Sequence, residues 1–87
     1  MAKKQRKLLG RHIVADSEIC HGKPTFIGTR IMVVQVLKMV AEGMSWDKIS
    51  AEWRGRVTKE AIAEAIELAQ RVFAYHAKEY AQGSQSA

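Results

Sequence analysis

The apolar spacing between Ile31 and Glu42 is the feature that most limits how this chain can fold. Four aliphatic side chains there recur at the 3.6-residue period of an α-helix and so share one face. They are Val33, Val36, Leu37 and Val40. Because Val34 and Met39 widen this stripe, we expect the helix to be central and mostly buried. The rest of the chain must therefore build a core around it.

Two further helices are predicted after Gly43, a residue that can take the left-handed conformation in which helices end. Ser45 and Thr58 are good N-caps for them. One face of the second helix carries Trp46, Ile49 and Trp53. One face of the third carries Ile62, Ala65, Ile66, Ala69, Val72, Phe73, His76 and Tyr80. We expect this third helix to run from Thr58 to Tyr80.

The N-terminal part predicts a short β-hairpin before the helices. Arg11–Ala15 contains a β-branched pair that suits one strand, and Thr25–Ile27 suits a second. Asp16–Pro24 between them is rich in turn residues, and Pro24 can open a strand because its missing N–H costs nothing there. Two strands alone are marginally stable, so the hairpin must lean on the helices or on another chain.

These elements predict a mainly α fold, in which a short N-terminal β-hairpin precedes a three-helix helix-turn-helix. The 87 residues suffice for one domain, which we place at residues 11–81, between a flexible basic arm at 1–10 and a disordered tail at 82–87. So small a chain buries a thin core. Its one cysteine, Cys20, excludes an internal disulfide. Oligomerisation is therefore the expected source of extra stability.

The lone cysteine also fits a reducing compartment. The sequence has no apolar run long enough to span a membrane, and its N-terminus lacks the pattern of a signal peptide. We expect a cytoplasmic protein with no membrane association.

Positive charge is concentrated at the N-terminus. The chain carries a net charge of +5, and five basic residues precede His12, while the other nine balance nine acids. The five are Lys3, Lys4, Arg6, Lys7 and Arg11. A basic arm of this kind can follow nucleic-acid phosphates. The alternative is a solvated tail that aids solubility.

The connection at residues 54–57 has the length and the glycine of a helix-turn-helix turn. In that motif, the first residues of the following helix meet base edges. The candidate DNA-binding residues outside the arm are Arg54, Arg56, Thr58, Lys59 and Ala63. Three acids on the same helix would repel phosphates, namely Glu60, Glu64 and Glu67. Three-helix packing without any DNA contact stays open as the alternative.

The segment DSEICHGKPTFIGTRI, residues 16–31, together with AEGMSWDKI and VTKEAIAEAI, resembles the domain-of-unknown-function 433 family over about Ile13–Ala69. The matching positions are Asp16, Gly22, Lys23, Pro24, Gly28, Thr29, Arg30, Ile31, Gly43 and Ser45. The chain departs from the family pattern at Met32, at Ala61 and in the turn at residues 54–56. The resemblance implies a homeodomain-like three-helix fold and an antitoxin-like role, often beside a PIN-like ribonuclease toxin.

Arg30, within that segment, also has a plain structural interpretation. A guanidinium at the junction between hairpin and helix can pair with Asp16 or Glu18 across the turn. We therefore predict that Arg30 is partly buried and ion-paired, with a ligand-binding role as the alternative.

No catalytic or metal-binding set is evident in the sequence. Cys20 and His21 are adjacent, which is not the spacing of two ligands of one zinc site. The chain shows no local signature of a nucleophile and its base. We expect no enzymatic activity, no cofactor and no metal.

The third helix outruns its neighbours. Thr58–Tyr80 would span about 34 Å, roughly twice the length of either other helix. Its far end would expose Val72, Phe73, His76 and Tyr80 on a monomer. Contiguous exposed apolar surface usually marks an interface, so we predict a two-fold dimer, unless this end folds back over the hairpin.

These expectations combine into a dimeric, antitoxin-like binding protein for a PIN-like toxin and for operator DNA. The alternative is a stand-alone helix-turn-helix DNA-binding regulator without a toxin partner.

Overall fold

The structure, a computed structural model, describes residues 5–85, with the side chains of all of these except 78 and 80–85. A three-stranded antiparallel sheet, in the order β1-β2-β3, is followed by three helices. The strands are β1 (Arg6–Leu8), β2 (Ile13–Asp16) and β3 (Pro24–Phe26). The helices are α1 (Val33–Ala41), α2 (Trp46–Glu52) and α3 (Lys59–Gln85). The predicted mainly α fold with a small N-terminal sheet is confirmed.

Strand β1 is the main difference from the predicted two-stranded hairpin. The sequence predicts a flexible arm over residues 1–10, whereas Arg6–Leu8 pairs antiparallel with β2. The pairing is closed by the Ser17 N–H, which donates to the Gln5 carbonyl at 2.8 Å. All three side chains of β1 are exposed, and an exposed edge strand needs no apolar alternation that a sequence would reveal. Residues 1–4 of the predicted arm lie outside the described residues.

The core lies between the sheet and the helices. Ile13 of β2 and Phe26 of β3 are at most 2 % exposed, and both belong to one buried apolar cluster that includes residues of all three helices. Its other members are Ile31, Val33, Val36, Ile49, Val57, Ala61, Ile62 and Ala65. The sheet thus leans on the helices as predicted, because burying its apolar face there supplies the stability that three short strands lack.

Helix α1 begins later and is more exposed than predicted. It begins at Val33, since Met32 is still extended and forms a bridge with Thr25 of β3. Only Val33 and Val36 of the helix are buried, and Val34 is 58 % exposed. The prediction of a mostly buried helix is therefore wrong, because one side of α1 faces the core and another faces solvent.

The other two helices begin where the sequence predicts. The Ser45 Oγ accepts from the Lys48 N–H at 3.1 Å, and the Thr58 Oγ1 accepts from the Ala61 N–H at 3.1 Å. Helix α3 continues through Gln85, so residues 82–85 are helical where a disordered tail is predicted, and residues 86–87 lie outside the described residues. Within the described part of the chain, no helix combines the length and apolarity needed to cross a membrane.

Helices α1 and α2 end in the same backbone motif but with different residues at its left-handed position. After α1 that residue is Gly43, with φ of 88°. Its N–H donates to the Val40 carbonyl at 3.0 Å, and the Met44 N–H reaches the Met39 carbonyl at 3.1 Å. These two bonds satisfy helix-end carbonyls in the usual glycine-terminated way.

After α2 the left-handed residue is Arg54, with φ of 56°. Its N–H donates to the Ala51 carbonyl at 3.0 Å, and the Gly55 N–H reaches the Ser50 carbonyl at 2.8 Å. A residue with a Cβ is strained in this conformation by about 1–2 kcal/mol. Helix α2 therefore ends on an arginine where glycine would be more stable.

We expect Arg54→Gly to raise the free energy of unfolding by about 1 kcal/mol, because glycine adopts the left-handed conformation without strain. Gly43→Ala is the matched control and should lower it, since φ is 88° there although an added Cβ would meet nothing within 4 Å. Urea unfolding followed by circular dichroism measures both changes. A less stable Arg54→Gly protein would contradict the assignment of strain to Arg54.

Candidate functional site

Arg56 lines three separate depressions on the protein surface. It lines one with Arg54, a second with Arg30 and a third with Arg11. All four side chains belong to exposed residues. Glu52 is the one acidic residue that lines these depressions within the described part of the chain. We call the four arginines the arginine surface.

The loop that carries Arg30 is held by hydrogen bonds on both sides of it. The Thr29 hydroxyl donates to the Phe26 carbonyl at 2.8 Å and accepts from the Ile31 N–H at 3.0 Å. Gly28 supplies the left-handed residue of the turn, with φ of 80°. Arg30 therefore extends from a fixed backbone between β3 and α1.

The predicted burial of Arg30 is wrong, since the residue is exposed. Asp16, one of its two predicted partners, instead closes its own turn, because its Oδ1 accepts from the Glu18 N–H at 2.9 Å. The Cys20 thiol lies 3.5 Å from the Arg30 carbonyl oxygen, so that the contact made here is with the backbone. The guanidinium of Arg30 is left on the surface.

Glu64 of α3 binds the backbone of the turn between β1 and β2. Its Oε1 accepts from the His12 N–H at 2.8 Å, and its Oε2 accepts from the Arg11 N–H at 2.9 Å. A Cβ at position 10 would lie 2.7 Å from the Glu64 carboxyl carbon, so Gly10 leaves the room that this contact requires. Glu64, which the sequence presents as an acid opposing phosphate, thus holds Arg11 in place.

The same contacts set the protonation of Glu64. Burial by itself raises the pKa of Glu64. The N–H donors of His12 and Arg11, together with the His12 imidazole, lower it by more, so the pKa lies below its ordinary value. The His12 Nδ1 lies 3.5 Å from the Glu64 Oε1. The carboxylate is therefore charged at neutral pH and available to the turn.

The predicted base-reading residues at the start of α3 are largely engaged within the protein. The Thr58 hydroxyl caps the helix, the Lys59 Nζ lies 3.1 Å from the Asp47 Oδ1, and Ala63 is half-buried. Of the predicted arm residues, Arg6 and Lys7 are exposed on β1. Lys3 and Lys4 lie outside the described residues.

A second surface feature is a groove with apolar walls between α1 and α3. Its lining residues are Pro24, Val33, Val34, Leu37, Ala65, Leu68, Ala69, Val72 and Phe73. Three of them are more than half exposed, at 58 % for Val34, 53 % for Val72 and 62 % for Phe73. We call this feature the apolar groove. Among residues 5–85, no lining residue of the groove also lines the depressions around Arg56.

The groove contains part of the predicted interface. Val72 and Phe73 line it, while His76 is half-buried and its Nδ1 lies 3.1 Å from the Glu79 Oε2 one turn further on. The Tyr80 side chain lies outside the described residues. The side of the groove formed by α1 was not predicted from the sequence, because the spacing of Val34 is that of a core residue.

Among the described residues, the remaining candidates for metal binding do not come together in one site. Cys20 and His21 occupy a short left-handed turn, with φ of 51° and 58°. Within residues 5–85, no group of three or more His, Cys, Asp and Glu side chains is arranged to hold a metal ion.

The part of the chain that carries most of these surface residues matches a family model. A family model described as "Protein of unknown function (DUF433)" matches residues 13–69, more than half of the chain. The chain belongs to the DUF433 family. The DUF433 segment includes Arg30, Arg54 and Arg56, whereas Val72 and Phe73 lie beyond it. Comparisons with curated proteins and with solved structures returned no match.

We expect Glu64→Ala to lower the free energy of unfolding at pH 7 by about 2 kcal/mol, because the N–H groups of Arg11 and His12 lose a charged acceptor. A carboxyl whose pKa is lowered by folding stabilises the protein above its unfolded pKa of about 4.3, and this contribution is lost as pH falls through the folded-state pKa. The difference between parent and variant should therefore shrink in acid.

Glu67→Ala is the matched control, since Glu67 is exposed and its Oε1 lies 3.7 Å from the Arg71 Nη2 in an exposed ion pair. It should cost less than about 0.5 kcal/mol. Urea unfolding across a pH series measures both variants. Equal losses in the two variants, or a Glu64→Ala loss that is independent of pH, would contradict the assignment.

Proposed function

We propose that this DUF433 protein is a non-enzymatic, antitoxin-like binding protein that acts as a dimer, engages a PIN-like ribonuclease toxin and contacts operator DNA. The observation that carries this proposal is the presence of two exposed surfaces, one charged and one apolar, that share no lining residue within the described part of the chain. An apolar groove suits a protein partner, and an arginine surface suits phosphate. The toxin partner is proposed from membership of the DUF433 family, because the resemblance to that family implies an antitoxin-like role beside a PIN-like ribonuclease.

The helix arrangement supports the homeodomain-like part of the proposal. A short turn containing Gly55 separates α2, which ends at Glu52, from α3, which begins at Lys59. Helix-turn-helix motifs join their two helices by a short turn that often contains glycine. The capping hydroxyl of Thr58 fixes the point at which α3 leaves the turn. The two helices thus suit the motif without requiring that α3 read bases.

We assign the apolar groove to a second copy of the chain. Helix α3 has 27 residues, which is about 40 Å of helix, and its exposed apolar residues Val72 and Phe73 lie beside Val34 of α1 in the groove. The same chain therefore carries both a projecting apolar helix and an apolar wall. A two-fold axis lets each copy place its α3 against the α1 wall of the other.

We expect Phe73→Glu to convert the dimer to a monomer, because the introduced charge would be buried without a partner in the paired groove. Tyr75→Glu is the matched control, since Tyr75 is 84 % exposed and does not line the groove. Light scattering at high micromolar concentration measures the mass, and circular dichroism checks that each variant folds. A monomeric parent protein, or an equal effect of both variants, would contradict the dimer.

The toxin partner is tested first by determining whether a neighbouring gene encodes a PIN-like ribonuclease, and then by co-expressing that nuclease with this protein. We expect the two proteins to copurify and the growth arrest caused by the nuclease to be relieved. An unrelated helix-turn-helix protein is the control. If neither relief nor a complex is seen, the second candidate function is favoured, a stand-alone DNA-binding regulator. The arginine surface supports that second candidate independently of a toxin.

A further inference from the structure

We propose that the arginine surface binds the phosphate backbone of duplex DNA, with Arg30 and Arg56 as its central contacts. This inference rests on the DNA-binding part of the proposed function and deepens it. It assigns the contact to three loops around Arg56, and it gives a binding role to Arg30.

The positive charge of this surface exceeds its negative charge. Four guanidinium groups and one carboxylate, that of Glu52, line the three depressions among the described residues. Within residues 5–85, none of the four arginines takes part in an ion pair. Guanidinium groups match phosphate in geometry and can donate two hydrogen bonds to it. An exposed set of this kind favours a polyanion.

The backbone under the surface is held in place before any ligand arrives. Glu64 binds the N–H of Arg11, and the Thr29 hydroxyl bonds on both sides of Arg30. Because these loops are already ordered, less conformational entropy is lost on binding. The first turn of α3 contributes less positive charge to a ligand, since Lys59 is paired with Asp47 there.

The conformation of Arg54 is an independent indication. Helix α1 ends on Gly43 at the left-handed position, whereas α2 ends on Arg54 in the same motif. Backbone strain of this kind is concentrated at ligand-binding positions, where the side chain contacts the ligand although the backbone conformation is unfavourable. Arg54 lines a depression together with Arg56, which places the strained residue within the proposed site.

Contacts to phosphate carry no base information. The arginine surface should therefore bind duplexes of different sequence with similar affinity, and any sequence preference would arise from other residues. Counterion release predicts a logarithmic salt dependence of about −0.9 for each phosphate neutralised.

The test is fluorescence anisotropy with a labelled DNA duplex of random sequence across a salt series. The variant is Arg30→Gln with Arg56→Gln. Its salt slope should be shallower than that of the parent by about 1.8, and its affinity near 0.1 M salt should fall on the order of 50-fold, as two lost phosphate contacts require. The matched control is Lys23→Gln with Lys38→Gln, which removes two exposed charges that line none of the three depressions. It should change the affinity by less than about threefold, because exposed charges that make no contact with the duplex are screened by salt.

Three results would overturn the inference. They are equal affinities and slopes for the parent and the arginine variant, no binding of the duplex by the parent at low salt, and preferential binding of single-stranded RNA over the duplex. The arginine variant should still dimerise and still engage the toxin. A parent protein that neither dimerises nor binds the toxin would contradict the proposed function but not this inference, because the anisotropy experiment measures only DNA binding by the arginine surface.

Discussion

The hydrogen bonds from Glu64 to the turn between β1 and β2 are the contact on which the N-terminal arrangement depends. They join residues more than fifty positions apart in the chain, and they require a charged carboxylate, two N–H donors and the space left by Gly10. Once the turn is fixed on α3, β1 can return along β2. Arg11 is then held beside Arg56. A contact that stabilises the fold therefore also builds part of the arginine surface.

Helix α1 divides its residues between two tasks. Val33 and Val36 are buried in the core, while Val34 is exposed in the apolar groove. A domain of this size buries too little surface to be strongly stable alone. In the proposed dimer, the exposed side of α1 would be buried by α3 of the second copy, which adds apolar burial without enlarging the core of either chain.

The sequence predicted the features that depend on neighbouring residues. Ser45 and Thr58 cap helices through bonds that span three residues, and Pro24 opens a strand because of its own missing N–H. Such signals are complete within a few positions. The resemblance to the DUF433 family could be detected for the same reason, since its motif consists of short runs of neighbouring residues around tight turns.

The features that the sequence did not predict depend on distant contacts or on the absence of a pattern. Strand β1 is exposed along its length and has no apolar alternation. Glu64 looks like a surface acid of a helix until the turn is seen bound to it. Charge predicted Asp16 or Glu18 as the partner of Arg30, but the short Asp16 side chain accepts from a backbone N–H donor two residues along the chain. Charge alone therefore gave the wrong partner, because local backbone donors compete with distant guanidinium groups.

The two surfaces gain from each other in the proposed assembly. Among the residues that the structure describes, the arginine surface and the apolar groove have no lining residue in common, so pairing through the groove does not require contact with the four arginines. A two-fold dimer then presents two arginine surfaces on one particle. When one of them is bound to a duplex, the second meets the same duplex at a high effective concentration, provided that the spacing allows both to reach it. Backbone contacts that are weak and unselective in one copy thereby become stronger in the pair, and the distance between the two surfaces selects where on the DNA both can bind.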